Sequence, residues 1–492
     1  MPVGTPLFVE TSYQKRTCRF RTCFPVTMWP LTVTTTRFEA PNAFAFLNTP
    51  RFAKVRTVLR LELTTASEPI SVLGPKNLRF YLNGDEALTG GLYELMSTGL
   101  MGVVSAQRPA AGAWLHPEDV ALARSASGRA RRCCPPRPTG CEASACCKST
   151  SRSPRSSSSS TSRTSTAAAR ATSWSCSSSS IAPRPGGSVH NDTFALGCTP
   201  VVNLFRQVSE PVNTTGKASE YLVIPDARWE RTTEIHSILG VTPSLTLEDD
   251  IPLYEPIFGH RHSLERSTVY WQASRRPSRI EETPGRTSGC RFVDRRLERR
   301  PPREEVLRVH TLCTNRDLAT FLDQGEQLHV EEGPHAMVRL MTRPTLPVSP
   351  PMQGEALWRL VSHLSLSHTG LPDVPEALAE ALREQLRVYA FTTNESLERQ
   401  IQSIVEAKET VALRADDQRW QGFVRVQRIT VTVDEGRFSG ISPILLGAVL
   451  RQYFGLHASI NVFTQLALVS RQREGIWHLW PPTIPETSSA NF

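Results

Sequence analysis

Leu59, Leu61 and Leu63 alternate with Arg60 and Glu62, the period of two that a half-buried strand requires. The run NLRFYLNGD places an Asn83-Gly84 turn after a second strand, and a short helix is expected over Glu86–Met96. Tyr221–Ile224 and Val306–His310 read as strands in the middle of the chain. The period then changes. Leu378, Leu382 and Leu386 share one face of a helix expected over Pro375–Tyr389, with Asp373 near its start. Further helices are expected at Leu357–Leu364 and Leu397–Val405. Near the end, Val424, Val426, Ile429, Val431 and Val433 mark a half-buried strand, and Ile441, Leu445 and Val449 recur every four residues as one helix face.

Strand and helix patterns follow one another without a solenoid repeat, so the expected class is α+β and multidomain, with β-rich N-terminal and middle domains and a mixed C-terminal domain. The expected division is an incomplete β-rich N-terminal domain over 1–105 and a disrupted segment over 106–190. A middle α+β domain over 191–345 and a C-terminal α+β assembly domain over 346–492 complete it. With 492 residues and 39% hydrophobic content the chain can build several cores, and 37 prolines with 28 glycines imply many loops and short strands. No apolar run approaches the roughly 18 residues needed to span a bilayer, and the N-terminus lacks a signal-peptide pattern. A soluble, cytoplasmic protein is expected.

Several blocks carry a family likeness. The segment Phe438 to Leu466, FSGISPILLGAVLRQYFGLHASINVFTQL, resembles the C-terminal region of TssF, the baseplate wedge family of the bacterial type VI secretion system. LGCTPVVNLFRQVSEP (196–211), YLVIPDARWERTTEIHSI (from Tyr221), VHTLCTNRDL (309–318) and WRLVSHLSLSH (358–368) are similar to further blocks of that family, in the same order. The segment Cys18 to Val104 also fits, so the resemblance spans nearly the whole chain outside two stretches. Ala319 stands where the family pattern has proline and Ser367 where it has asparagine, and the tail WPPTIPETSSANF runs differently. The chain opens at PVGTPLF where the family has a preceding helical region, so a truncated chain or a late assigned start is expected.

A formal charge of +9 would ordinarily suggest an anionic partner such as nucleic acid or a membrane surface. Its location undoes that inference. Between Ala121 and Gly187 ten arginines and one lysine face Glu142 alone, so this window carries +10 and the remaining 425 residues sum to −1. The window is rich in Ser, Arg and Cys and lacks the apolar residues a core needs. Three readings compete for it: an Arg/Ser-rich arm for RNA, a cysteine metal site, or a passage translated in the wrong frame. A frame beginning at each codon's third base turns TCN serine into Phe, Leu, Ile or Val and turns cysteine into Leu, Met or Val. Read so, Cys146 to Ser162 permits LLQEYFAFPEKFLFFDL, similar to a passage the TssF family carries at this place, and Ala171 to Ala182 permits DELELLFLLDRA, a strand pattern. The frame is restored by about Ser188.

A similar pair of excursions is expected at Arg286–Arg291 and Arg295–Arg300, where the shifted frame permits DVWLS and AGLNAA around an intact FVD. Arg286 to Arg303 holds seven arginines against Asp294 and Glu298, a further +5. Without both windows the chain is net −6 and the nucleic-acid argument disappears. Of 11 cysteines, Cys18, Cys23, Cys198 and Cys313 lie outside these windows, a scatter that suits a reducing cytosol. The Cys133, Cys134, Cys141, Cys146 and Cys147 cluster has no paired CxxC spacing and no nearby histidine set for zinc.

Candidate chemistry is sparse. His260 and His262 would share a face of a strand but lack a third ligand nearby in sequence, and His363 and His368 are five apart, unlike a zincin pair. Cys313 in CTNRD has no identifiable activating base, and Arg316 next to Asp317 reads as a loop-fixing ion pair or a backbone clamp. Gly84, Gly197, Gly440 and Gly447 form no phosphate-binding loop. Trp477 and Trp480 around His478 suit an interface anchor or a core equally.

The expectation is therefore a non-enzymatic structural subunit with no catalytic, cofactor-binding or metal residues and no cofactor. The resemblance implies partners: a second TssF copy, TssG, TssE, TssK and the VgrG hub, with no nucleic acid and no direct membrane span. It also implies a location in the cytoplasm, peripheral at the inner membrane through the secretion machine, and work by bistable packing of large interfaces. Asn203, Phe205, Asn315, Arg316, Trp358, Phe438, Gly440, Phe454, Ser459, Asn461 and Phe463 are the expected fold or assembly determinants. Two alternatives stay open: a non-functional frameshifted remnant of the family, and an Arg/Ser-rich nucleic-acid-binding protein.

Overall fold

The computed structural model describes residues 1–11, 16–44, 55–65, 73, 77–108, 115–124, 145–149, 171–178, 188–215, 218–244, 254–257, 269–278, 285–294, 305–331, 333, 336–348, 354, 358–359, 361, 374–390, 395–415, 423–456 and 462–483. At 77, 101–108, 115–124, 145–149, 171–178, 294, 305, 412–415, 423–424 and 456 only the backbone is described. The described residues form an α+β fold of five sheets.

The largest sheet has eight strands in the order 194–196, 77–82, 145–149, 115–124, 100–108, 171–178, 57–65 and 31–39. Leu59, Leu61 and Leu63 lie on the buried face of strand Thr57–Thr65, as their alternation predicts. Arg60 on the opposite parity is not solvated: at 7% exposure it pairs with Glu39 at 3.0 Å and with Glu62. Asn83-Gly84 turns the chain into helix Glu86–Thr98, where the Asp85 carboxylate caps the first turn by accepting from the Leu88 N–H at 2.8 Å. Strand Ala171–Ser178, in the segment expected to be frameshifted, runs antiparallel between 57–65 and 100–108, with Leu61 opposite Trp174 and Val103 opposite Cys176.

A five-stranded sheet joins distant segments in the order 201–202, 17–22, 6–10, 327–330 and 338–339. Strand Glu305–Thr314 is flanked by 205–208, 212–214 and 234–243 in a second middle sheet. A third, in the order 221–223, 286–294, 269–277 and 254–256, holds Arg286–Asp294 in nine-residue register with Val269–Pro277. Cys290 and Phe292 of that strand enter the core with Tyr221, Trp271 and Val309.

The C-terminal sheet runs 404–415, 423–433, 462–470 and 476–479. Strands Phe423–Val433 and Val462–Ser470 are parallel, so helix Pro443–Leu456 is the crossover that such a pair requires. The expected face of that helix is corrected. Ile444, Gly447, Leu450 and Phe454 are buried, whereas Val449 is 44% exposed and Ile441 and Leu445 are half-buried. The helix packs against both strand Val462–Ser470 and helix Glu86–Thr98, and that second neighbour rotates the buried stripe away from the simple four-residue series.

Helix Pro375–Arg387 buries Leu378 and Leu382 as expected. Its neighbour Glu395–Gln402 ends before the expected Val405, because the chain enters strand Ile404–Ala415, with Ile404 fully buried. Asp373 and most of the helix expected over Leu357–Leu364 lie outside the described residues. One apolar cluster spans both ends of the chain, gathering Leu59, Leu61, Leu63, Leu88 and Leu92 with Leu378, Val431, Ile444, Phe454, Leu468 and Trp480.

Candidate functional site

Asn203, Phe205, Asn315 and Arg316 come together although two blocks of sequence separate them. Asn203 follows the two-residue strand Val201–Val202, and Asn315 follows strand Glu305–Thr314. Asn203 Oδ1 accepts from the Asn315 backbone N–H at 2.6 Å, while Asn203 Nδ2 donates to Asn315 Oδ1 at 2.9 Å and to the Arg19 carbonyl at 2.7 Å. Asn315 Oδ1 also accepts from the Arg19 N–H at 2.9 Å. Two amide side chains thus satisfy backbone groups of two segments, at Arg19 and Asn315, and tie them to a third at Asn203. Phe205, in register with Cys313, lies under the Arg19 guanidinium at 5.7 Å.

Arg316 adopts a φ of 51°, the left-handed region that a non-glycine residue enters at a cost. Its Nε donates to the Thr233 carbonyl at 3.4 Å, and its guanidinium lies over Gly285 beside the Glu234 carboxylate, where a Cβ would collide with both. Of the two roles expected for Arg316, an ion pair with Asp317 or a backbone clamp, the bond to the Thr233 carbonyl is the clamp.

A second convergence ties helix Glu86–Thr98 to the loop before helix Pro443–Leu456. At Gly90 a Cβ would stand 2.6 Å from the Gly440 carbonyl and 3.2 Å from the Ser442 N–H nitrogen, so the glycine permits backbone contact. Gly440 itself has a φ of 82°. Ser442 Oγ donates to Glu94 at 3.2 Å, and Arg473 joins Glu94 at 3.2 Å to Glu435, which it grips with two bonds of 2.8 Å. The Arg473 guanidinium also stacks on Trp477 at 3.9 Å. Phe438 packs half-buried against the shared cluster and Phe454 is buried within it. Phe463 is half-buried opposite Val426.

Trp358 stands apart from both convergences, 73% exposed. Ser459 and Asn461 lie outside the described residues, as do His260, His262, His363 and His368. Local pattern did not single out Gly90, Glu94, Ser442 or Arg473; the Gly90-Gly91 pair inside a helix was the one available signal.

The chemistry offered is that of packing. Cys313 is fully buried with its Sγ 3.2 Å from Thr311 Oγ1, and burial pushes its thiol up to about 11 despite that hydrogen bond, the reverse of an activated nucleophile. Cys18 and Cys290 are pushed up to about 12, chiefly by burial. Among the described residues no three His, Cys, Asp or Glu side chains are placed to hold a metal ion, and no helix is long and apolar enough to cross a membrane.

Comparison with known proteins places these features in a family. A chain of the cryo-electron microscopy structure of the type VI secretion system TssK-TssF-TssG baseplate subcomplex matches with a TM-score of 0.74 at 21% identity, covering 98% of this chain and 86% of that one. At that identity the likeness concerns the fold. The type VI secretion system component TssF1 of Pseudomonas aeruginosa is 28% identical over 321 residues, covering 61% of this chain and 51% of the relative. The chain thus spans about half the length of the curated relative it matches. The family model described as type VI secretion system, TssF, matches residues 1–143 and 178–487, and the stretch it skips lies inside the Ser- and Arg-rich window. Since that match takes in both convergences and nearly every described strand, the chain belongs to the TssF family of the type VI secretion system.

Proposed function

We propose that this chain is a structural, non-catalytic subunit of a type VI secretion baseplate that assembles with TssG and TssK. The observation that carries the reading is the family match over 1–143 and 178–487, together with the TssK-TssF-TssG subcomplex in which the structural relative was solved. Burial supports it too: the chain's polar networks fix backbone segments to one another, and its buried thiols are held protonated. A second copy of the chain, TssE and the VgrG hub are the further partners in this reading, with the protein in the cytoplasm, peripheral at the inner membrane through the machine. Nucleic acid has no place in it. Trp358 and Phe463 are its interface candidates on exposure, and Asn203, Phe205, Asn315, Arg316, Phe438, Gly440 and Phe454 its fold determinants.

Co-expression with tagged TssG and TssK tests the proposal. Co-purification of all three in fixed ratio is the expected result, and recovery of TssG and TssK without this chain would overturn it.

One observation favours a second reading, a disrupted copy of the same protein. The family match breaks at 144–177, and ATSWSCSS occupies an interior position of the antiparallel eight-stranded sheet, where alternate positions of a strand are normally apolar. In the shifted reading DELELLFLLDRA the codons built on Trp174, Cys176 and Ser178 become Leu, Leu and Phe. Resequencing the DNA for residues 105–305 separates the two: restored frames give an intact subunit, and unchanged bases give a remnant.

A further inference from the structure

Three arginines from three distant segments converge on the stretch Thr232–His236. Arg16 donates from Nη1 to Thr232 Oγ1 at 2.9 Å, Arg316 from Nε to the Thr233 carbonyl at 3.4 Å, and Arg275 from Nη2 to the Ile235 carbonyl at 3.0 Å. Glu234 is the one carboxylate within that stretch, 3.7 Å from Arg275 and beside the Arg316 guanidinium, so one acid serves two of the three. The adjoining turn contributes Asp226, which accepts the Arg228 N–H at 2.9 Å, and Glu230, and these are offset by Arg228 and Arg231. Arg21 adds charge from strand Thr17–Thr22, close enough that it and Arg275 hold the His236 imidazole below its ordinary value, after the larger effect of burial.

Positive charge is therefore in excess and incompletely compensated. Buried nitrogens of Arg16, Arg21 and Arg316 have no hydrogen-bond partner among the described residues. Those nitrogens are out of solvent, so a partner would meet the parts of the cluster that reach the surface, Trp229 and the Arg275 side chain, 29% exposed. Beside it Trp229 is 46% exposed with the Arg16 guanidinium stacked on its ring at 4.7 Å, and Leu239 is exposed on the same strand as Glu234. Tryptophan and arginine are the residue types that dominate protein interfaces.

We infer that the face formed by Trp229 with Arg16, Arg21, Arg275 and Arg316 docks an acidic segment of a partner protein, Trp229 anchoring an apolar side chain and the guanidinium groups taking carboxylates. The inference rests on the reading of this chain as an assembly subunit. Arg16, Arg275 and Arg316 are each tethered to a backbone or hydroxyl acceptor, so these forks are preorganised at separate points, a geometry suited to carboxylates presented one after another. A nucleic-acid track would instead need a solvated stripe of cations following a phosphate backbone.

The test titrates the purified full chain with a fluorescein-labelled peptide of glutamate pairs separated by leucine, read by anisotropy. Binding is expected, weakening as salt rises, and Trp229→Ala and Arg275→Glu should each weaken it about tenfold or more. Arg276→Glu, the same charge change at a neighbour paired with Glu220, should leave it unchanged. No binding, equal binding of the lysine counterpart, or equal loss in Arg276→Glu would overturn the inference. So would displacement of the peptide by an equal concentration of inorganic phosphate or of a short RNA. Failure of the chain to co-purify with TssG and TssK while the peptide still binds would instead sink the baseplate reading alone.

Discussion

Asn203 and Asn315 exchange hydrogen bonds: the Asn203 carbonyl oxygen accepts the Asn315 backbone N–H at 2.6 Å, and its amide donates to Asn315 Oδ1 at 2.9 Å. Because both also bond Arg19 of the five-stranded sheet, the pair locks three segments of chain, the strand ends at 202 and 314 and strand Thr17–Thr22, into one arrangement. Removing either side chain leaves buried backbone groups without partners. Asn315→Ala is expected to cost about 1–3 kcal/mol of unfolding free energy. Asn203→Ala should cost a similar amount, and the double variant less than their sum, with a coupling of about 0.5–3 kcal/mol. Urea denaturation of the four proteins measures the cycle. Additive costs would mean that the two residues act separately.

Gly90 makes a different kind of contact. Any Cβ there meets the Gly440 carbonyl at 2.6 Å, and backbone cannot move aside as the end of a flexible side chain can. Gly90→Ala should therefore lower stability by about 1–3 kcal/mol even though alanine favours a helix. Gly240→Ala, where nothing lies within 4 Å and φ is ordinary, should stay within about 0.5 kcal/mol of the parent. Thermal melting of the pair checks the contrast.

The strands and helices that could be read in the sequence were those buried on one side. Leu59, Leu61 and Leu63, the Asn83-Gly84 turn, helix Pro375–Arg387 and the strand ending at Val433 all obey a single local period. Where two neighbours cover an element the rule fails. Helix Pro443–Leu456 touches both a helix and a strand, so its buried stripe includes Ile444 and Leu450 and leaves Val449 in solvent. Arg60, on the polar parity of a strand whose leucines alternate as expected, is itself buried in an ion pair. The Asn203, Asn315 and Arg316 blocks were legible as family motifs, but their meeting was not, since no local period encodes contacts across 112 residues.

Arg473 illustrates the same point at longer range, bonding Glu94 from 379 residues away while it grips Glu435 and stacks on Trp477. Its side chain is about a third exposed, which discounts the ion pairs, so Arg473→Met is expected to cost about 1–2 kcal/mol. Arg473→Lys keeps the charge but loses the two-pronged geometry and the planar stack, and should recover less than half of that loss. Full recovery by lysine, in denaturation at matched salt, would show that charge alone matters.

The buried thiols give a pH-dependent prediction whose sign follows from linkage. Cys290 is raised from the ordinary 9.0 to about 12 by burial first and by the Glu220 carboxylate second, and Cys18 to about 12 by burial first, with Glu326 adding to it and the Arg19 backbone hydrogen bond opposing. Both groups hold their protons more tightly folded than unfolded, so their contribution to stability is fully present below pH 9 and is lost as pH rises toward 12. Stability should fall across that window, and a Cys290→Ser variant, whose hydroxyl does not titrate there, should show a shallower fall. The same protection blocks chemistry at neutral pH. Iodoacetamide at pH 8 should leave Cys18, Cys290 and Cys313 unmodified in the native chain and label all three in urea, as peptide mass spectrometry would show. Rapid native labelling of Cys313 with loss of an activity would point instead to an accessible thiolate, which the burial of that side chain and its thiol raised to about 11 oppose.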